Sequence, residues 1–289
     1  MTRRGWLLFG AMGVIWGIPY LLIKVAVAEL DPTTLVLVRT LIGASLLVPL
    51  ALFRNNIGPL WKYWRWVLLY TVIEVAAPWF LLSDAERRLT SSLTGLLLAA
   101  VPLVGAVVVL VAGGDDRLDR RRVVGLAVGF VGVAALVGLD VAARDFFAVA
   151  EVAIVTVCYA VGPLIIARRL SEVPAVGVVA ASLGLTAVFY VVPGALHAPH
   201  ALPSTAVIVC LAILGIVCTA LAFLVFFALI AEVGPARATV ITYVNPAVAL
   251  ALGVTILGEA LTIGAGLGLV LIIAGSVLGT RRSVAAAPA

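Results

Sequence analysis

The sequence predicts an all-α membrane protein in which ten transmembrane helices form two inverted five-helix repeats. Three observations predict this fold: an extreme apolar composition, apolar runs of membrane-spanning length along the whole chain, and motifs that recur in the second half. Of 289 residues, 64% are hydrophobic and 11% are charged, with a mean hydropathy of +1.25. Soluble domains carry about 25% charged residues, so a water-soluble fold is excluded.

Ten apolar runs are bounded by charges, Pro or Gly. Each is near the ~20 residues that a helix needs to cross about 30 Å of hydrocarbon. Lipid offers no hydrogen bonds to the backbone, and the runs are continuous rather than alternating, so we expect helices and not barrel strands. The predicted spans are 5–27, 33–53, 65–83, 91–112, 122–139, 148–167, 174–195, 205–231, 236–257 and 263–280.

The distribution of basic residues predicts the topology. Fourteen of the 19 Lys and Arg residues fall in loops on the side of the N-terminus, whereas only Arg87, Arg88 and Arg144 fall on the other side. Because cytoplasmic loops are enriched in Lys and Arg, both termini of this multi-pass protein should lie in the cytoplasm, at the inner (plasma) membrane. Topology therefore explains the net charge of +5, and we expect no nucleic-acid partner.

An internal repeat is the strongest organisational signal. The segment 101–138 aligns with 245–279, so that Pro102 matches Pro246 and Gly125 matches Gly268. We expect one repeat at 1–143 and a second at 144–289, with five spans each. Because five is odd, the second repeat enters the membrane from the opposite side. Inverted repeats that share a midplane site are a recurring basis of alternating access. The repeat therefore predicts that this membrane protein is a transporter.

These features resemble the drug/metabolite transporter superfamily, and specifically its EamA-type ten-helix members with two EamA repeats. The resemblance covers about residues 5–280 and implies an exporter or facilitator of amino acids, related metabolites or drugs, with a central cavity lined by both halves. One departure is Gly113-Gly114-Asp115-Asp116, where the family usually has Gly-Glu. The motifs that match are Trp16-Gly17, Lys24, Asp31-Pro32, Arg39, Pro102 and Leu257-Gly258-Glu259-Ala260-Leu261-Thr262.

Glu74 lies near the middle of the third predicted span. An ionised group at that depth is costly, so it should face the bundle interior, and intramembrane ionisable residues mark substrate or ion pathways. It could bind a substrate amine or a coupling proton; alternatively, it forms a structural hydrogen bond between helices. Its repeat-related position is Cys218, which we expect, like the other cysteines, to be an inert packing residue.

Two basic residues also fall within predicted spans. Arg39 is within reach of Glu74 in depth if their helices are adjacent, and we expect a structural role in such a pair rather than substrate contact. Lys24 lies near the outer end of the first span. It could attract a carboxylate, but snorkelling to the interface is the simpler account.

A group of aromatic and amide residues completes the predicted substrate site. Trp and Tyr offer flat apolar faces and one donor each, and they can hold a cationic group by cation–π attraction. Ordinary packing is the alternative for each of them. Trp16 and Tyr159 are repeat equivalents, which favours a shared cavity. The predicted substrate-binding set is Trp16, Glu74, Trp79, Tyr159, Tyr243 and Asn245.

The residue pattern argues against an enzyme. No predicted span contains His, and the chain has no phosphate-binding Gly-Lys-Ser/Thr loop, so we predict no catalytic residue, metal or cofactor. The predicted function is a secondary transporter, an exporter of an amino acid or related metabolite. Its predicted partners are the bilayer and a small-molecule substrate, with protons as the candidate coupling ion. A multidrug or toxic-compound efflux carrier of the same fold is the alternative, followed by a channel or non-transporting sensor. The sequence does not indicate an oligomeric state.

Overall fold

The computed structural model describes residues 2–111, 120–140 and 145–280, and all regular structure within these ranges is helical. The predicted end of the fourth span at 112, the segment Gly113–Asp116 and the predicted repeat boundary at 143/144 lie outside the described residues. The first part of the chain contains α1 Arg3–Ile15, α2 Pro19–Ala26, α3 Pro32–Phe53, a 3-10 helix Gly58–Tyr63, α4 Trp64–Tyr70, a π-helix Thr71–Ala76, α5 Ala77–Ala85, α6 Ser91–Leu98, α7 Val101–Val111 and α8 Arg120–Asp140.

The second part of the chain has a similar series of elements, again with a π-helical segment within one long helical stretch. These elements are α9 Phe146–Arg169, α10 Ala175–Leu196, α11 Thr205–Gly215, a π-helix Ile216–Leu221, α12 Ala222–Val233, α13 Pro235–Ala238, a 3-10 helix Thr239–Tyr243, α14 Asn245–Ile256 and α15 Ile263–Thr280.

Seven helical stretches among the described residues are long and apolar enough to cross a membrane. These stretches are Arg3–Ala26, Pro32–Phe53, Gly58–Ala85, Ser91–Val109, Phe146–Arg169, Ala175–Leu196 and Thr205–Val233. Three shorter apolar helices fall where further spans are predicted, at Val123–Leu139, Val240–Ile256 and Ile263–Leu278. The described residues therefore confirm the all-helical class and include seven helical stretches with the length and composition of membrane spans.

The Asp31-Pro32 motif starts α3. The Asp31 Oδ1 atom accepts hydrogen bonds from the Thr33 backbone N–H at 2.9 Å and from the Thr33 hydroxyl at 2.6 Å. Pro32 occupies the first helical position, where the missing N–H has no acceptor within the helix to lose. This N-cap fixes where the second spanning stretch begins and so sets the depth of Arg39 two turns further on.

Helices from the first part of the chain pack mainly against helices from the second part. The most extensive contacts pair α8 with α15, α3 with α10 and α6 with α14. Two further pairs, α5 with α9 and α1 with α12, join the third spanning stretch of one part to the first of the other. The core of the protein therefore lies between the two parts of the chain rather than within either one.

Glycines allow α8 and α15 to approach each other closely. A side-chain carbon at Gly275 would lie 2.5 Å from the Cα of Gly129 and 2.6 Å from the carbonyl oxygen of Gly125. Those atoms are backbone and cannot move aside as a side chain can. Within lipid, where apolar helices gain little from avoiding solvent, such close backbone contact is a main source of helix association.

We predict that Gly275→Ala destabilises the protein by about 1–3 kcal/mol, the usual cost of inserting a methyl group into a closely packed contact. Gly266→Ala on the same helix is the matched control, since nothing lies within 4 Å of a Cβ at that position. The measurement is the thermal unfolding midpoint of each purified variant in detergent. Equal midpoints for the two alanine variants would show that the α8–α15 contact is not as close as described.

Candidate ligand-binding cavity

A cavity of about 250 Å³ lies between the two parts of the chain. Its wall includes five of the six residues predicted as a substrate site, together with Arg39. The lining residues are Trp16, Pro19, Tyr20, Arg39, Glu74, Trp79, Leu82, Gly95, Leu98, Val101, Tyr159, Pro163, Cys218, Phe223, Phe226, Ile241, Thr242, Asn245 and Pro246.

Glu74 reaches the cavity from the π-helical segment of the third spanning stretch. A π turn inserts one extra residue into the helix, and such turns are frequent at functional sites. The Oε2 atom is buried and has no hydrogen-bond partner among the described residues. The carboxyl group packs against Gly162 of α9, where a Cβ would overlap Oε2 and lie 2.8 Å from Cδ. Glycine at this position therefore makes the room that the Glu74 carboxyl group occupies.

Arg39 lines the same cavity but does not pair with Glu74. Its side chain is buried, with 6% of the residue exposed. Its Nε–H donates to the Thr219 hydroxyl at 3.1 Å, and its guanidinium carbon lies 3.6 Å from the centre of the Trp79 ring. The ion pairs formed by the described residues do not include Arg39 with Glu74. The expected Arg39–Glu74 pair is therefore wrong, because a buried aromatic face and a hydroxyl hold the guanidinium instead.

The tryptophans form two different parts of the wall. Trp16 follows α1 at the break before α2, and its ring packs against the rings of Phe226 at 4.7 Å and Phe223 at 6.1 Å. Trp79 is buried beneath the Arg39 guanidinium. Trp16 thus contributes to an apolar aromatic surface, whereas Trp79 positions a cation at the cavity wall.

Tyr159 and Asn245 line the cavity from the second part of the chain, but Tyr243 does not. The carbonyl oxygens of Ile241 and Gly13 assign the orientation of the Asn245 amide, because a nitrogen placed toward them donates to both at 3.1 Å. The neighbour of Tyr243, Thr242, lines the cavity instead. Thr242, near the end of the 3-10 helix, and Asn245, the first residue of α14, are three residues apart and both line the cavity.

Lys24 does not line the cavity. Its Nζ atom donates to the backbone carbonyl oxygens of Glu86, at 2.6 Å, and Leu89, at 2.7 Å. These carbonyls belong to the turn between α5 and α6. The last carbonyl oxygens of a helix have no partner within that helix, so a lysine can bind them. These two bonds fix the turn to α2 and give Lys24 a structural role, and the expected snorkelling to the interface stays a prediction.

Sequence reasoning missed several lining residues. Tyr20 lies one helical turn after Trp16, and this spacing could have placed both on one face. Phe223 and Phe226 occur in an all-apolar run, where nothing separates a cavity-facing ring from a lipid-facing ring. Cys218 is buried in the cavity wall, and its alignment with Glu74 was the available signal that it lies there.

A bundle of apolar helices that encloses a mostly apolar cavity with a few polar groups, between two parts of the chain, is typical of a membrane transport protein, and the comparisons agree. The EamA-like transporter family matches twice, over residues 3–138 and 147–281. The chain belongs to the EamA-like transporter family, as the sequence motifs predicted.

Curated relatives carry the same class of description. The chain is 26% identical to the uncharacterized transporter YvbV of Bacillus subtilis (strain 168), over 96% of this chain and 92% of that protein. It is 27% identical to the uncharacterized inner membrane transporter YedA of Escherichia coli (strain K12), over 88% of this chain and 84% of that protein. A solved crystal structure with 20% sequence identity superposes with a TM-score of 0.69 over 97% of both chains, and at this identity it supports the fold alone.

The packing of Glu74 on Gly162 makes a testable prediction about stability. We expect Gly162→Ala to destabilise the protein by about 1–3 kcal/mol, because the added methyl group overlaps the carboxyl group. In a Glu74→Ala background, Gly162→Ala should lower the free energy of unfolding much less, because the carboxyl group that the added methyl group overlaps is absent. A double-mutant cycle of thermal unfolding midpoints in detergent measures this coupling.

Gly184→Ala is the matched control for that cycle, since the nearest atom to a Cβ at that position lies 3.8 Å away. Its effect should be small and equal in both backgrounds. A Gly162→Ala effect that is unchanged by Glu74→Ala contradicts the described position of the carboxyl group.

Proposed function

We propose that this protein is a secondary transporter that exports a small metabolite, an amino acid or related compound, across the inner membrane by alternating access. The observation that carries the proposal is a single cavity whose wall holds a carboxyl group and a guanidinium group that do not pair with each other. Export is the direction implied by the family resemblance.

The proposed architecture is ten transmembrane helices in two inverted repeats, at 1–143 and 144–289. The seven long stretches and the three shorter apolar helices of the described residues together supply ten segments at the predicted positions. The first helix of each part packs against the third spanning stretch of the other part, α1 against α12 and α9 against α5. A pseudo-twofold axis that relates the two parts requires such a matching pair of contacts. The π-helices Thr71–Ala76 and Ile216–Leu221 occupy corresponding positions and add to this support.

The proposed topology places both termini in the cytoplasm, on the strength of the Lys and Arg distribution. Aromatic and basic side chains that are exposed or half-buried at the predicted cytoplasmic side support this topology. Arg169 contacts the half-buried Trp66 ring at 4.6 Å, and Arg65 contacts the exposed Trp64 ring at 5.4 Å. Such pairs suit the headgroup region, where the ring meets hydrocarbon and the cation meets water.

Glu74 is the proposed ligand of a substrate amine or of a coupling proton. An ionised carboxylate without a partner is costly in a low-dielectric interior, so a cationic group that enters the cavity gains a charge-assisted hydrogen bond. The Oε2 atom is buried and lacks a partner among the described residues, which leaves it available for that bond.

Arg39 is the proposed ligand of a substrate carboxylate, in addition to its structural contacts. Its guanidinium carries five N–H donors, and only the Nε–H bond to Thr219 is accounted for within the described residues. Stacking on Trp79 fixes the plane of the group and so reduces the entropy lost when a ligand binds. A zwitterion could therefore contact Arg39 and Glu74 within one cavity.

The size of the cavity separates the two candidate substrate classes. Pockets that hold drug-sized ligands measure roughly 300–1,000 Å³. A cavity of about 250 Å³ fits a small metabolite better. The aromatic surface formed by Trp16, Phe223 and Phe226 is the observation that favours the second candidate, an efflux carrier of lipophilic compounds.

The test is transport of labelled amino acids by purified protein in proteoliposomes. A carrier gives saturable transport and counterflow, whereas a channel gives neither. We predict that Glu74→Gln lowers the transport rate at least about tenfold or removes its pH dependence, because loss of one charged hydrogen bond typically costs about 1.5–3 kcal/mol. Transport that is unsaturable, or absent for amino acids but present for lipophilic cations, contradicts the proposed substrate class.

Glu172→Gln is the matched control, because Glu172 is an exposed acid that accepts a hydrogen bond from the Tyr63 hydroxyl and does not line the cavity. It should transport as the unmodified protein does. If Glu74→Gln also leaves the rate unchanged at every pH, Glu74 binds neither substrate nor a coupling proton.

A further inference from the structure

Glu86 is a buried acid that lies just beyond the cavity and that the proposed transport site does not use. It directly follows Ala85, the last residue of the third spanning stretch, and none of its surface is exposed. Leu82 and Tyr20 line the cavity. Glu86 lies four residues after Leu82, and Lys24 lies four residues after Tyr20, which is about 6 Å along a helix in each case. Glu86 therefore lies one helical turn past the end of the cavity.

The carboxyl group of Glu86 has no hydrogen-bond partner among the described residues at either oxygen. The nearest cation, Lys24, donates instead to the backbone carbonyls of Glu86 and Leu89. The other charged or titratable groups that face Glu86 are Arg39 of α3, Tyr20 of α2 and Glu259 of the turn before α15. Asp84 of the same stretch pairs with Arg87 and Arg88 of the turn that follows, and Arg88 also pairs with Glu151 of α9.

The same end of the bundle carries a contact between the two family-matched segments. The carboxylate of Glu259 accepts hydrogen bonds from the backbone N–H groups of Ser91 at 2.7 Å and Ser92 at 2.9 Å. This anion binds the free N–H groups and the positive end of α6. The turn held by Lys24 directly precedes α6, so a movement of the turn also moves the partners of Glu259.

Burial favours the neutral form of Glu86. Removal from water raises the pKa of the Glu86 carboxyl group well above its usual range, and the charges of Lys24 and Arg39 only partly offset this. A raised pKa in the closed arrangement means that this arrangement is favoured at low pH. Its advantage is lost as the pH rises through that value.

We propose that Glu86 is the proton-binding group of a gate at this end of the cavity. In the closed gate Glu86 holds its proton, and Lys24 fixes the turn through the carbonyls of Glu86 and Leu89. On opening, the O–H bond of Glu86 breaks and the proton passes to water. The carboxylate then draws the Lys24 ammonium group, which keeps its own protons, away from the two carbonyls, and the turn is released.

The proposal rests on the proposed transport function, but its test needs no substrate and so fails or succeeds separately. Cys218 in the cavity wall supplies a natural reporter of access. In a Cys158→Ser, Cys210→Ser background, Cys218 is labelled with a membrane-impermeant methanethiosulfonate reagent. The protein is held in right-side-out membrane vesicles, with the pH equal on both sides and varied from acidic to alkaline.

The readout is the labelling rate of the parent divided by that of its Glu86→Gln variant at each pH. Both proteins carry the same thiol, so the ratio cancels the rise of thiolate with pH. The variant mimics neutral Glu86 and should stay closed. The ratio should be near one at low pH. As the pH is raised, the ratio should increase by up to about tenfold per pH unit, because it follows the ionised fraction of the Glu86 carboxyl group.

Two further variants test whether Glu86 is the group that binds the proton. Glu86→Asp, which retains an acid, should keep a pH-dependent rate, and Glu172→Gln, at an exposed acid that does not line the cavity, should leave the pH dependence of labelling intact. A ratio that stays near one at every pH overturns the proposal, as does a pH dependence that Glu172→Gln removes. The elution profile and unfolding midpoint of each variant in detergent are measured first, so that a change in labelling rate is not caused by misfolding.

Discussion

Lipid cannot hydrogen-bond to a polar side chain, and this constraint governs how the charged residues of the bundle are placed. Each buried charge must find a partner within the protein or face a cavity. Among the described residues, Arg39 finds a hydroxyl and an aromatic face, and Lys24 finds two backbone carbonyls. Glu74 and Glu86 are the two acids with buried oxygens that lack such partners. These two acids are therefore where proton or ligand chemistry is expected.

The partnered charges also connect the two family-matched segments. Arg88 bridges Asp84 of its own helical stretch to the buried Glu151 of α9, each at 2.7 Å, and Arg39 of α3 donates to Thr219 of the second π-helix. Contacts of this kind can be exchanged for others when the segments move, whereas the glycine contact of α8 with α15 is fixed by backbone shape. The fold thus combines one rigid seam with several polar contacts that a conformational change could break.

Much of this arrangement follows from the sequence. Composition predicts the membrane helices, because no other environment accepts so apolar a chain. Intramembrane polarity and repeat alignment predict a common site, and the structure brings Trp16, Glu74, Trp79, Tyr159 and Asn245 to one cavity. Whether these residues bind a substrate stays a prediction, which the transport experiment tests.

The partners of the charged residues could not be predicted, because they depend on how the backbone folds. Depth along a helix places Arg39 near Glu74, but helix rotation directs it to Trp79. Lys24 meets carbonyls that become available only because the turn at 86–90 folds back over α2. Glu86 stands beside Arg87 and Arg88 in the sequence and looks like a loop residue there. Only tertiary packing buries it.

We propose that one cavity recognises both the amine and the carboxylate of its substrate. The direct measurement is the shift of the thermal unfolding midpoint of the purified protein with amino acids and with their N-acetyl and methyl ester derivatives, since a ligand that binds only the folded state raises its stability. We expect zwitterionic amino acids to raise the midpoint and either derivative to raise it less. In Glu74→Gln the preference for a free amine should disappear. If N-acetyl derivatives raise the midpoint of the unmodified protein as much as amino acids do, the cavity does not recognise a free amine.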